Sequence, residues 1–209
     1  MCDHFGIPLL FGMAAFAQDY ANVEVPIGYS YMGFTPYHNS VVSPFSLNGG
    51  AGGIIVWVNH LLGIQGEMNG YANLTKTFAF PPGFISLCPA GCNVTADGSM
   101  FTYNAELVFK YRSEHFEPFA ETMLGGAHSN VYRNLVTACQ LSCNTTARPD
   151  NKGWDFVVGG GFDIPVSKSF AIRPVQFDYV LTRFGNQLGG GNNSQHNFRY
   201  QAGIVFRFR

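Results

Sequence analysis

Charged residues are scarce in this sequence. The 209 residues include 12 Lys and Arg and 13 Asp and Glu, so that only 12% are charged and the formal net charge is −1. A soluble domain has about 25% charged residues, and a nucleic-acid-binding surface needs an excess of positive charge. No run of 18 or more apolar residues occurs, which excludes a transmembrane helix. The composition therefore fits neither an ordinary soluble domain nor a helical membrane protein, and it excludes nucleic acid as a partner.

Aromatic residues and glycine are abundant instead. The sequence contains 20 Phe, 10 Tyr, 2 Trp and 25 Gly, and 46% of its residues are hydrophobic. This apolar content excludes a disordered chain. The length predicts one domain, or at most two.

The N-terminal segment has the pattern of an export signal. Residues 5–17 form an apolar run that ends in Ala15-Phe16-Ala17. The length of this run and the small-x-small ending are typical of a signal peptide and its cleavage site. A buried first helix is the alternative. We predict a cleavable signal segment at residues 1–17 and a mature chain at residues 18–209.

Four cysteines follow the predicted signal segment, in two pairs with the same spacing. They are Cys88, Cys92, Cys139 and Cys143. An even number of cysteines in an exported chain indicates disulfides, and four cysteines allow three connectivities. A tetrahedral zinc site is the alternative, but an oxidising compartment favours disulfides. The spacing leaves the connectivity open.

Apolar and polar residues alternate along most of the mature chain, which is typical of strands with one apolar face. The pattern is clearest in residues 101–112, 154–164 and 197–208, and it also occurs in residues 23–32. Residues 62–72, 117–128 and 170–184 follow it less regularly, and Arg173-Pro174 breaks the phase in a way that predicts a bulge. Residues 50–59 are apolar on both faces. These segments predict eight strands.

Short and long connections alternate between the predicted strands. The short ones are about 59–61, 113–116 and 165–169, and the long ones are about 35–49, 73–100, 129–153 and 185–196. An antiparallel up-and-down barrel places all short turns at one end and all long loops at the other. The sequence therefore predicts an all-β fold with eight strands in this arrangement.

The polar faces of the predicted strands carry acidic and basic side chains that suit mutual pairing: Glu24, Glu67, Glu106, Lys110, Arg112, Glu121, Asp155, Asp163, Asp178, Arg199 and Arg207. The apolar faces are rich in bulky aromatic residues, which would crowd the interior of an eight-stranded barrel. On the outside, Tyr and Trp near strand ends match the aromatic girdles of membrane barrels. We predict a transmembrane barrel with a polar lumen. The opposite polarity, a lipocalin-like soluble carrier, is the alternative.

Three blocks of the sequence resemble the eight-stranded OmpA-like and OmpX-like outer-membrane barrels. They are FEPFAE at 116–121 leading to GGAH at 125–128, QFDYVLTRF at 176–184, and FRYQAGIVFRF at 198–208. The resemblance implies a location in the bacterial outer membrane and assembly by the barrel-assembly machinery. It also implies that the C-terminal aromatic Phe208 is the recognition signal for that machinery.

The polar lumen has two interpretations. The charged side chains neutralise one another in a filled interior, where unpaired charge is costly, or they line a narrow gated ion path. A lipid A-modifying enzyme is a competing class, for which His128 and Ser129 are the nearest candidates. Adjacent strand residues point to opposite faces, so they do not form a catalytic dyad.

We therefore predict a non-enzymatic outer-membrane barrel with a structural or adhesive role for its long loops. Its predicted partners are the lipid bilayer with its lipopolysaccharide, the barrel-assembly machinery and an extracellular ligand. No cofactor and no metal site are predicted.

Overall fold

The computed structural model describes residues 21–34, 45–83, 90, 92–130, 151–184 and 194–209. No helix in these ranges is long and apolar enough to cross a membrane. The described ranges form eight strands: β1 (Val23–Phe34), β2 (Phe45–Trp57), β3 (Leu62–Phe80), β4 (Cys92–Lys110), β5 (Glu117–Ser129), β6 (Asn151–Ser167), β7 (Phe170–Phe184) and β8 (Ser194–Phe208).

All eight strands join one closed sheet. Each strand pairs antiparallel with the next strand in sequence, and β8 pairs with β1 to close the barrel. The closing pairs run from Val23 opposite Phe208 to Gly33 opposite Phe198. The predicted eight-stranded antiparallel up-and-down barrel is therefore confirmed. Closure gives every strand two neighbours, so the wall has no open edge.

The barrel wall separates an apolar outside from a polar inside. Phe198 and Phe177 are 71% and 64% exposed on the outer face, whereas Glu24 and Asp163 are 0% exposed on the inner face. Burying charges while exposing large apolar side chains is favourable only where the surroundings of the barrel are hydrocarbon. This polarity excludes the soluble-carrier alternative for the described barrel.

The β3–β4 hairpin is longer than predicted. The sequence predicts a loop over about 73–100, but seven residue pairs from Leu74–Gly98 to Phe80–Cys92 continue the ladder, beyond a register shift at Tyr71 and Leu74. At about 3.3 Å per residue, this extension adds about 23 Å to each strand. Both strands have 19 residues, whereas about 9–11 suffice to cross a bilayer. The hairpin therefore projects past the loop end of the barrel.

Two other predicted connections are shorter in the structure. β2 begins at Phe45, within the predicted loop 35–49, because Phe45 and the residues after it pair with β1, starting opposite Phe34. The predicted turn 165–169 reduces to two residues, since Ser167 already pairs with Phe170. The predicted bulge at Arg173-Pro174 is confirmed by a register shift between Arg173 and Gln176.

Some aromatic side chains face inward, near the short turns. In β2, whose faces the sequence does not distinguish, Ile55 and Trp57 point into the barrel, where they pack with Val108 and Phe119. This apolar cluster fills the lumen where it would otherwise open at the turn end. It also lies directly beside the charged side chains described below.

Candidate functional site

The lumen is the candidate functional site. Of the predicted lumen residues, ten are buried inside the barrel, and Arg112 is half-buried at the turn end. Together with Glu117 and Arg173, which were not predicted, they form two groups along the barrel axis. The turn-side cluster comprises Glu24, Lys110, Arg112, Glu117, Asp163, Arg173 and Arg207. The acidic cluster comprises Glu67, Glu106, Glu121, Asp155, Asp178 and Arg199.

Lys110 is the centre of the turn-side cluster. Its Nζ lies 2.6 Å from Oε2 of Glu24 and 2.7 Å from Oδ2 of Asp163, and all three side chains are fully buried. Lys110 belongs to β4, Glu24 to β1 and Asp163 to β6. One ammonium therefore ties together three strands that are not neighbours in the sheet.

Two further ion pairs reach the same end of the lumen. Nη1 of Arg112 donates to Oε1 of Glu24 at 3.1 Å. Arg207 on β8 forms an ion pair with Glu117 on β5, across the barrel. Glu117 lies at the first position of β5, where sequence alternation alone did not single it out. Together these bonds connect opposite walls, so the turn end of the lumen is closed by side chains.

Arg173 is the second lumen residue that sequence analysis did not select. It is buried, and its Nε donates to Oδ1 of Asp163 at 2.8 Å. Its guanidinium also lies 4.1 Å from the ring centre of Phe119, a cation–π contact. The bulge after Arg173 explains the omission, because Arg173 and Gln176 both point inward although they are three residues apart.

The apolar cluster at the turn end contacts the cations. Nζ of Lys110 lies 5.1 Å from the ring centre of Trp57, and the guanidinium of Arg112 lies 4.4 Å from the same ring. An aromatic face attracts a cation, and more strongly where water is excluded. These contacts hold the cations where they close the lumen.

Arg199 is the centre of the acidic cluster. Its Nη1 lies 2.9 Å from Oε1 of Glu67 on β3, and its Nε lies 2.7 Å from Oδ2 of Asp178 on β7. The remaining terminal nitrogen, Nη2, contacts the sulfur of Met123 at 3.3 Å. Arg199 on β8 thus links β3, β5 and β7 through the middle of the lumen.

Gln176 connects the two clusters. Its carbonyl oxygen accepts a hydrogen bond from Nη1 of Arg173 at 2.9 Å. Its amide nitrogen donates to Glu121 and, at 3.2 Å, to Oδ2 of Asp178. A single neutral side chain therefore makes the hydrogen-bond network continuous along the lumen.

Other predicted residues lie in or beyond the described ranges. Cys92 begins β4, whereas Cys88, Cys139 and Cys143 lie outside the described residues, as does the predicted signal segment at residues 1–17. The disulfides therefore stay a prediction.

Phe208 is the last residue of β8 and is exposed to the outside. His128 is exposed outside while Ser129 is buried inside, so the two side chains do not meet.

No protein-family model matches the chain, and no curated protein matches it by sequence. Solved structures do match its fold. Neisserial surface protein A (NspA) aligns with a TM-score of 0.59 at 9% identity, covering 90% of this chain and 98% of that one. Ail, the attachment invasion locus protein of Yersinia pestis, aligns with a TM-score of 0.50 at 12% identity, covering 90% and 99%.

A second structure of Ail, in complex with the heparin analogue sucrose octasulfate, aligns with a TM-score of 0.52 at 12% identity, covering 90% and 99%. These neighbours are eight-stranded outer-membrane β-barrels. The chain has the same fold. The predicted location in a bacterial outer membrane agrees with the apolar exterior of the barrel and with these neighbours.

Proposed function

We propose that this outer-membrane barrel is a non-enzymatic scaffold whose loop end makes adhesive contacts outside the cell. The observation that supports the proposal best is the cross-linked lumen. Lys110, Arg199 and Arg207 each bridge strands that are not neighbours, and the acids they contact are buried. A lumen filled in this way favours a closed barrel over a wide pore, so the functional surface is expected at the loop end.

The projecting β3–β4 hairpin supports the same proposal. Its paired extension runs from Leu74 to Phe80 and from Cys92 to Gly98. The strand ends at Phe80, Pro82 and Gly83 form a turn, and Gly83 takes a positive φ of 79°, which glycine adopts without steric cost. The seven consecutive residue pairs of the extension hold its backbone beyond the barrel, where a partner can reach it. Loops on a rigid barrel are common sites of binding.

The expected partners follow from this placement. The exterior of the barrel contacts the bilayer and its lipopolysaccharide, and Phe208 is the proposed signal for the barrel-assembly machinery. Disulfides among Cys88, Cys92, Cys139 and Cys143 would stiffen the loop surface. Ail provides a concrete ligand class to test, since it has been crystallised with a heparin analogue.

Adhesion can be tested with vesicles that carry the refolded barrel. Their binding to immobilised heparin, fibronectin, laminin and collagen would be compared with binding by a variant in which residues 75–97 are replaced by a two-residue turn. We expect the full chain to bind at least one surface and the shortened variant to lose most of that binding. A matched control would carry Lys168→Ala in the turn at the other end of the barrel. No binding by the full chain to any of the four surfaces would count against adhesion.

A further inference from the structure

The acidic cluster contains buried hydrogen-bond acceptors that have no donor. Neither carboxylate oxygen of Glu106 makes a hydrogen bond, and the same holds for Oε2 of Glu121 and Oδ1 of Asp155. The amide oxygens of Gln65 and Asn104 are also without a donor. All five side chains are buried. We call them the acceptor patch: Gln65, Asn104, Glu106, Glu121 and Asp155.

The acceptor patch is continuous across four strands. Gln65 on β3 pairs directly with Glu106 on β4, and Asn104 lies two residues before Glu106 on the same face. Glu106 pairs with Met123 on β5, which makes Glu121 its diagonal neighbour, about 7–8 Å away between Cα atoms. The amide nitrogen of Asn104 donates to Oδ2 of Asp155 on β6 at 2.9 Å.

The nearest cationic side chains are occupied elsewhere. The acidic cluster holds five carboxylates and one guanidinium, and the nitrogens of that guanidinium, Arg199, contact Glu67, Asp178 and Met123. Arg173 donates to Asp163 and Gln176. Buried acceptors cost free energy when they lack a partner, and buried carboxylates cost more. A positive charge supplied from outside the chain would remove this cost.

We propose that Glu106, with the neighbouring amide oxygens of Gln65 and Asn104, binds one small, hard cation of the Na⁺ or Ca²⁺ type. Every free ligand atom is a carboxylate or amide oxygen, and no nitrogen or sulfur is among them. Such an oxygen-only set selects hard cations rather than zinc or copper. Glu106 is the principal ligand because both of its oxygens are available.

The cation keeps part of its water shell. No group of three or more His, Cys, Asp or Glu within the described ranges could hold a metal ion, so Glu106, Glu121 and Asp155 do not bind the ion together. The amide oxygens of Gln65 and Asn104 and one or more waters therefore complete the coordination. The site is independent of the proposed adhesive role, since it lies in the lumen and the hairpin extension lies beyond the barrel.

The proposal can be tested by the thermal stability of the refolded full chain in detergent. The melting temperature Tm would be measured in chloride salts of Na⁺, Ca²⁺ and tetraethylammonium at equal ionic strength and constant pH. A ligand that binds the folded state raises Tm in proportion to the logarithm of its concentration. We expect Na⁺ or Ca²⁺ to raise Tm by several degrees above the value in tetraethylammonium, whose ethyl groups keep its charge from direct contact with oxygen ligands.

Matched variants show whether the cation that raises Tm binds at the acceptor patch. Glu106→Gln and the double variant Glu106→Gln with Glu121→Gln are expected to lose the dependence of Tm on the small cation. Glu114→Gln, which removes an exposed carboxylate in the turn between β4 and β5, is expected to keep it. Equilibrium dialysis with radioactive calcium or sodium gives a second measurement, with about one ion expected per wild-type barrel and none for Glu106→Gln.

Two outcomes would overturn the proposal. If Tm is the same in all three salts and dialysis finds no bound ion, protons or water satisfy the acceptor patch. If Glu106→Gln binds the ion as the wild type does, the cation occupies another part of the molecule. Dialysis tests whether the ion binds at Glu106 even if the double variant does not refold, because it is applied to the wild type and to the single variant.

Discussion

Lys110 and Glu24 form an ion pair across the lumen, with 2.6 Å between Nζ and Oε2 and no solvent exposure of either side chain. Their strands, β4 and β1, are not neighbours in the sheet. The same Nζ also lies 2.7 Å from Oδ2 of Asp163. Because a closed sheet already fixes each strand to its neighbours, the added function of these bonds is to brace the barrel across its interior.

Removing the ammonium should destabilise the barrel strongly. Lys110→Met leaves Glu24 and Asp163 buried with fewer positive partners, and breaking a buried ion pair costs about 3–5 kcal/mol. Unfolding by urea in lipid vesicles would measure the loss. Lys168→Met, at an exposed position in the β6–β7 turn, is the matched control and should change the free energy of unfolding by less than about 0.5 kcal/mol. Equal effects of both substitutions would contradict a bracing role for Lys110.

The barrel and its polarity could be predicted from the sequence, because the alternation of apolar and polar residues indicates on which face of a strand each side chain lies. Lys110 and Asp163 lie on regular stretches, and the structure has both in the lumen. Arg173 was missed because a bulge resets the phase, and a bulge depends on pairing between strands rather than on local sequence. The extension of β3 beyond Tyr71 was missed for a related reason. The ladder with β4 continues after the register shift between Tyr71 and Leu74, and such a shift depends on pairing between strands rather than on local sequence.

The lumen partners themselves could not be predicted. Alternation indicates that Glu24 faces inward, but which cation reaches it depends on the stagger of strands across a closed barrel. Alternation puts Gln176 on the same face as Asp178, but its bonds to both clusters depend on side chains from other parts of the barrel wall. Alternation thus predicts that the lumen is polar, whereas the ion pairs within it depend on how the closed barrel brings distant strands together.

Arginine should be far more costly on the lipid face than in the lumen. Leu107 is exposed on the outside of β4 and Asn104 is buried on its inside, three residues away. Leu107→Arg places a charge in hydrocarbon and should cost about 2–4 kcal/mol. Asn104→Arg loses a hydrogen bond to Asp155 but adds a positive charge beside the acidic cluster, so its cost should be smaller. Val158→Arg, on the outside of β6, should behave like Leu107→Arg. Urea unfolding in vesicles would rank the losses in the free energy of unfolding of the three variants. Equal losses on the lipid face and in the lumen would contradict the assigned polarity.

The wild-type barrel should not conduct ions steadily. Its turn end is closed by the pairs Lys110–Glu24 and Arg207–Glu117 and by the apolar cluster around Trp57. Refolded protein in a planar bilayer should give no sustained current at moderate voltage. A double variant, Lys110→Ala with Arg207→Ala, removes two braces and should produce brief openings. Arg183→Ala, at an exposed position near the loop end of β7, should leave the bilayer silent. Steady openings of the wild type would favour the alternative of a small gated channel.

Gly159 should tolerate no side chain, although it lies in a regular strand. It is paired with Asp178 on β7 and with Glu121 on β5, between two lumen acids. A Cβ at this position would lie 2.0 Å from Oδ1 of Asp178 and 2.5 Å from the carbonyl oxygen of Phe177. Gly159→Ala should therefore displace Asp178 from Arg199 and cost about 1–3 kcal/mol, as overpacking does.

Gly66 offers the matched comparison for Gly159. It lies on the outer face of β3, where an added Cβ meets no atom within 4 Å. Gly66→Ala should leave stability unchanged or raise it by about 0.5–1 kcal/mol, because alanine loses less backbone entropy on folding. The two variants would be compared by urea unfolding in the same vesicles. If Gly66→Ala lowered the free energy of unfolding as much as Gly159→Ala, the space needed by Asp178 would not explain the glycine at position 159.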